Sequence, residues 1–298
     1  MHISEARGTR CILDLKAELG EGLLWDHECK RLLFVDIEKR LLYRLNPDDG
    51  SLESREFGQK IATVALAGIG EYLLVGENEI LRYRWRDGVC NSLTSFEDEI
   101  AGNRGNDGAS APDGSFWFGS ISGFERPGEA NLYRLDSSGR LEQRLQGATI
   151  SNGIAWSPDG RTMFWVDTPE RTVFSFSYDP ATESMGRKQT TICFPEETGY
   201  PDGMCADAEG MLWVAHFKGW GVSRNNPSTG EMLDFIRLPV RDVTCCAFGG
   251  ENLESLYIIS ARFRLNAEEL INQPLSGGVF CVNPGVRGRA EYTYAENG

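Results

Sequence analysis

The chain has 298 residues, 41% of them hydrophobic and 25% charged, with a formal net charge of -14 and a pI near 4.8. No Lys/Arg cluster supplies the basic face that duplex binding requires, so no nucleic-acid partner is expected. No apolar stretch approaches the ~20 residues needed to span a bilayer, so no membrane partner is expected either, and the acidity reads as solubility.

The N-terminus, MHISEARGTRCILDL, lacks the basic start and long apolar core of a signal peptide. The eight cysteines (Cys11, Cys29, Cys90, Cys193, Cys205, Cys245, Cys246 and Cys281) include no CxxC pair and no zinc-ribbon spacing. Most sit in apolar runs, which predicts buried, reduced thiols and a cytoplasmic location.

Along the chain, strand signals dominate. The apolar runs RLLFVDI, EYLLVG, SFWFGS, TMFWVD, MLWVAHF and SLYIIS recur, each followed by a second run: RLLYRLN, EILRYRW, NLYRLD, TVFSFSY, GVSRNN and GVFCVN. Turn formers such as NPDDG, SPDG, DAEG and NPSTG punctuate them. Modules begin near Glu21, Ala67, Asp107, Asn152, Asp202 and Val243. A spacing of about 40 to 50 residues with several strands per module is the pattern of propeller blades. The expectation is an all-β, six-bladed β-propeller forming one domain over residues 1–298. Only Asn266 to Asn272 (NAEELIN) looks helical, as a short insertion in the last unit. The segment around Cys11 to Leu15 is expected to pair with the C-terminal segment and close the ring.

Four modules share a head in which a polar, oxygen-bearing residue precedes glycine: Glu21-Gly22, Asp107-Gly108, Asn152-Gly153 and Asp202-Gly203. In a propeller the heads of the innermost strands face one axis. Glu21, Asn152 and Asp202 would then offer oxygen ligands to a divalent cation, Ca²⁺, Mg²⁺ or Mn²⁺, with Zn²⁺ or Fe²⁺ also acceptable. Read locally, Glu21 between two glycines is equally a solvated turn residue, and Asn-Gly is a hairpin signal. The second and sixth modules start on apolar residues and are expected to supply channel walls.

In NRGNDGASAPDG, Arg104 and Asn106 precede the third head on the same rim, where a guanidinium holds a carboxylate or polarised carbonyl and an amide takes hydroxyls. Asp107 is expected to orient that loop. GxSxG, GxxxxGK[ST], HExxH and GxGxxG are absent. The three histidines, His2, His27 and His216, are too few and too scattered to suggest a His-based site, and His216 reads as structural.

The motifs LGEGLLW, NRGNDG, ISNGIAWSPDG, PDGMCADAEGMLWVA, VTCCAFGGENLESLYIISAR and PLSGGVFCVNPGVRG, in this order and spacing, make the chain resemble the senescence marker protein 30 (regucalcin)/gluconolactonase/luciferin-regenerating-enzyme family over nearly its whole length. The resemblance implies a six-bladed propeller with one divalent cation in the central channel. The family's metal ligands fall on Glu21, Asn152 and Asp202, its proposed general base on Asp202, and its substrate contacts on Arg104 and Asn106. The chain departs from the family at Ala111, where members often carry an acid, and near Gly123, where some carry a substrate-contacting acid; Glu125 is the nearest substitute.

The implied activity is metal-dependent hydrolysis of a sugar lactone, aldose- or uronate-derived, to the aldonic acid. In that scheme the cation polarises the carbonyl, Asp202 takes a proton from water, and Arg104 and Asn106 orient the substrate. The alternatives are an esterase or phosphotriesterase, and a non-enzymatic calcium-binding propeller.

Overall fold

The computed structural model describes residues 3–4, 8–123 and 126–295. Six sheets follow one another along the chain, each built on an antiparallel meander, with N-terminal strands added to the last two. Their innermost strands are Gly20–Asp26, Thr63–Gly68, Arg104–Ser110, Ser151–Trp156, Tyr200–Ala206 and Val243–Gly249, which define blades 1 to 6. Each packs against the innermost strand on either side, and that of blade 6 packs against that of blade 1. The result is a six-bladed propeller.

Closure follows the expected route. Arg10–Leu13 is the outermost strand of blade 6 and pairs with Val279–Val282, so the two ends of the chain share one sheet. A feature the sequence did not suggest is Ile3–Ser4, which extends blade 5 by parallel pairing with Phe235 and Ile236. The helix is Ala267–Asn272, inserted in blade 6 and started by an Asn266–Glu269 capping box.

Two module boundaries need correction. Ala67-Gly68 closes the innermost strand of blade 2, which starts at Thr63, so the apolar run before Ala67 belongs to the strand itself. Arg104 and Asn106 lie within the innermost strand of blade 3, not ahead of it.

The core fills the wedges between blades. Trp117, Trp165 and Trp213, one on the second strand of each of blades 3 to 5, are fully buried. Each indole N–H finds an acceptor: Ser115 Oγ at 3.1 Å, Ser151 Oγ at 2.7 Å and Asp207 Oδ2 at 3.0 Å. All eight cysteines are free thiols, but only Cys205, Cys245, Cys246 and Cys281 are buried, fewer than the apolar runs predicted.

His216 is fully buried in blade 5. Its Nε2 pairs with Ser223 Oγ at 2.7 Å, and its ring lies between Phe194 and Phe235. Burial pushes its pKa down to about 3.

The head motif has a packing cause. A Cβ on Gly153 would meet Asp202 O at 2.6 Å and Met204 N at 3.0 Å, and one on Gly203 would meet Thr244 O at 2.9 Å. Near the axis, backbones of adjacent blades are too close for any side chain at these positions. At each head the ladder also slips: register shifts fall between Glu21 and Leu24, Gly105 and Gly108, Asn152 and Ile154, Pro201 and Met204, and Val243 and Cys245. Such bulges re-aim the neighbouring side chain. Blade 2 is the exception, with its shift at the far end, between Leu66 and Gly68.

Gly153→Ala is expected to lower stability by about 1–3 kcal/mol, because the methyl meets backbone that has no room to yield; urea unfolding measures it. His216 is neutral when folded but protonates near its ordinary ~6.5 when unfolded. Its contribution to stability is therefore complete above that pH and is lost as the pH falls toward the folded value, by up to about 1.4 kcal/mol per pH unit. His216→Gln should flatten the dependence of unfolding free energy on pH by one proton between pH 7 and pH 4.

Candidate metal centre

Glu21, Asn152 and Asp202 come from blades 1, 4 and 5, at the bulged heads of three innermost strands. Asn152 and Asp202 are buried, and Glu21 is half-buried. Asn152 Nδ2 donates to Thr168 Oγ1 at 3.0 Å, and Thr168 Oγ1 donates to Pro201 O at 2.9 Å. This relay fixes the amide orientation and ties it to the strand that carries Asp202. Asn152 Oδ1 and Asp202 Oδ1 are left buried without a hydrogen-bond partner.

Electrostatics mark the same point. The Glu21 carboxyl is held well above the ordinary range, first by burial, then by the carboxylates of Asp202 and Asp107. Asp202 is raised likewise, by burial and then by Asp107. Buried acceptors without donors and carboxylates crowded together are each costly. A cation bound by Glu21, Asn152 and Asp202 would relieve both. Two carboxylates and an amide oxygen suit a hard divalent ion. No group of three His, Cys, Asp or Glu side chains is gathered for a metal among the described residues, and here the third donor would be the amide.

Arg104 and Asn106 stand next to this cluster. Arg104 Nη1 donates to Asn106 Oδ1 at 3.1 Å and to Gly105 O at 2.7 Å. Asn106 Nδ2 donates to Ser151 O at 3.0 Å, beside Asn152. Asn106 therefore joins Arg104 to the strand bearing Asn152. Burial lowers the Arg104 pKa, and the carboxylates of Glu38, Glu21 and Glu77 oppose that effect.

Asp107 is half-buried on the channel wall. Its Oδ1 accepts from Gly108 N at 2.8 Å and from Thr63 Oγ1 at 3.5 Å, and burial pushes its pKa up to about 6. Beyond it, Arg289, Glu291 and Tyr292 of the C-terminal segment line the channel. That segment is anchored by Arg289 Nη1 to Ser157 O at 3.0 Å and by Tyr294 N to Leu66 O at 2.8 Å. The C-terminal segment thus shares the channel lining with Asp107.

Sequence reading missed two buried aspartates that hold the backbone just ahead of Glu21 and Asn152. Asp36 Oδ2 accepts from Glu18 N at 2.8 Å and its Oδ1 from Leu19 N at 3.2 Å, just before Glu21. Asp167 Oδ1 accepts from Ile150 N at 3.0 Å, just before Asn152. The repeated FVD and WVD endings of RLLFVDI and TMFWVD were the available signal. Gly123 leaves no space for an acid, since a Cβ there would meet Gly102 O at 1.9 Å. Glu125, its proposed substitute, lies outside the described residues.

Comparison with known proteins agrees with this architecture. Residues 19–262 match the model of the SMP-30/Gluconolactonase/LRE-like region. Regucalcin of Gallus gallus is 32% identical over 291 residues, 96% of this chain and 97% of the relative. YvrE of Bacillus subtilis, provisionally named a sugar lactone lactonase, is 33% identical over 267 residues, 90% of this chain and 91% of the relative. The solved structure of a calcium-binding protein, regucalcin, from Agrobacterium tumefaciens superposes with a TM-score of 0.94 at 25% identity, covering 99% of each chain. With nearly the whole chain aligned and the blade order shared, this protein belongs to the SMP-30/gluconolactonase/LRE-like family.

Proposed function

We propose that the protein is a metal-dependent lactonase that opens a sugar lactone to its aldonic acid. The observation that carries this reading is the pair of buried, unpartnered oxygens, Asn152 Oδ1 and Asp202 Oδ1, set beside Glu21 and flanked by Arg104. Glu21, Asn152 and Asp202 would hold the cation, with Ca²⁺ favoured by the oxygen donor set and by the calcium-binding relative. A bound divalent cation supplies polarisation of the carbonyl and stabilisation of charge on its oxygen.

The residues of the chain do the rest. Arg104 Nε and Nη2 form no hydrogen bond with the described residues, so they are free to orient the lactone through its oxygens. Asn106 holds Arg104 in place and keeps one N–H for a substrate hydroxyl. The Asp202 carboxylate accepts a proton from water as its oxygen bonds to the carbonyl carbon. The ring C–O bond then breaks, Asp202 passes the proton on to the ring oxygen, and the product is the open hydroxy acid. A lactone is a reactive ester, so no covalent nucleophile is needed.

The test is acid release from a panel of sugar lactones by the wild type, after chelation, after re-addition of defined metals, and by Asp202→Ala. Turnover that disappears on chelation, returns with metal and falls at least a hundredfold in Asp202→Ala is the expected result. Calcium affinity altered by Asp202→Ala, with no lactone turned over by the wild type, would instead establish a calcium-binding propeller. A second expectation concerns stability. Because the crowding that raises Glu21 and Asp202 is a cost to the metal-free fold, Asp202→Asn should raise the melting temperature of the chelated protein by about 2 °C or more while abolishing turnover.

A further inference from the structure

Blade 2 was expected to provide only a wall, yet its loop at residues 76–78 packs directly on the strand of Arg104. Glu77 N donates to Gln59 Oε1 at 2.9 Å, and Glu77 O accepts from Gly105 N at 2.8 Å. Both backbone groups are therefore pinned, and the side chain leaves from a fixed point next to Arg104. The contact is tight: a Cβ on Gly105 would meet Val75 Cγ1 at 2.2 Å and Gly76 O at 2.7 Å.

Two carboxylates outside the ligand set act on Arg104, and they differ in their commitments. Glu38 is held by Lys60, whose Nζ lies 2.8 Å from each of its oxygens. Glu77 is half-buried, and its carboxylate forms no hydrogen bond or ion pair among the described residues. It nevertheless lies close enough to Arg104 to counter the effect of burial on that guanidinium. A guanidinium with free donors beside a carboxylate with free acceptors is matched to vicinal hydroxyls, which donate and accept at once. A substrate carboxylate in the same place would meet Arg104 but face the negative charge of Glu77, which has no cation of its own among the described residues, unlike Glu38 with Lys60.

We infer that Glu77 is a specificity residue of this site, accepting hydrogen bonds from the hydroxyls of a neutral, polyhydroxylated lactone and disfavouring lactones that carry a second carboxylate. This deepens the lactonase reading and rests on it for the reaction, while the recognition itself is separable. The experiment compares wild type and Glu77→Gln, both full-length, metal-loaded and checked for equal melting temperature. The substrates are glucono-δ-lactone, a carboxylate-bearing glucarolactone and unsubstituted δ-valerolactone, and sorbitol binding is followed by calorimetry.

Glu77→Gln is expected to raise KM for glucono-δ-lactone about tenfold and weaken sorbitol binding by a similar factor. Expected alongside are kcat within about twofold and δ-valerolactone turnover unchanged, since losing one hydroxyl contact touches neither. The variant should also improve kcat/KM for the glucarolactone. An equal loss on δ-valerolactone would mean that Glu77 merely places Arg104, and would overturn the inference; so would an unchanged KM for glucono-δ-lactone or no gain on the glucarolactone. If the wild type turns over no lactone, the reaction reading falls, and sorbitol affinity still decides for or against Glu77.

Discussion

Backbone crowding around the propeller axis is the constraint on which the site depends. Where innermost strands of neighbouring blades meet, Gly153 and Gly203 have carbonyls of the next blade within 3 Å of any Cβ they could carry. Only glycine fits, and the ladder bulges beside it. The residues before these two glycines, Asn152 and Asp202, sit at the bulges, and a bulge re-aims the side chain beside it. A packing requirement of the ring thus becomes a means of presenting Glu21, Asn152 and Asp202 to one another from positions remote in sequence.

What those side chains create is poorly balanced as it stands. Burial and like charge raise Glu21 and Asp202 together, and two buried oxygens lack donors. Arg104 alone does not neutralise the group: it is one positive charge against the carboxylates of Glu21, Asp202 and Asp107, and its effect on Glu21 is outweighed by burial and by the two aspartates. Groups that destabilise a fold and gather at one place are the usual signature of a functional site. Support comes from the buried aspartates Asp36 and Asp167, which accept from the backbone just ahead of Glu21 and Asn152.

Blade identity also matters. Five innermost strands bulge at or near the head, whereas blade 2 bulges at the opposite end. Without a head residue of its own, that blade reaches the rim by a different route, through the loop that carries Glu77. The apolar start of the module concealed this, because the signal lay in a turn, GEN, that resembles any other acidic turn.

The amino-acid sequence by itself determined the blade count, the ring closure through residues 10–13, the helix near 267–272 and the oxygen-bearing heads. All of these are local or periodic: alternating apolar runs, turn residues and a repeated polar-Gly step state them directly. The tertiary structure alone decided where blade 2 begins, that Asn106 is tied to Ser151, that Asp36 and Asp167 latch the strands of Glu21 and Asn152, and that the C-terminal segment lines the channel. It also decided that Glu77 stands beside Arg104 and that Gly123 has no room for an acid. These depend on contacts between segments 17 to more than 100 residues apart, and periodicity carries no information about which side chains meet across such a gap.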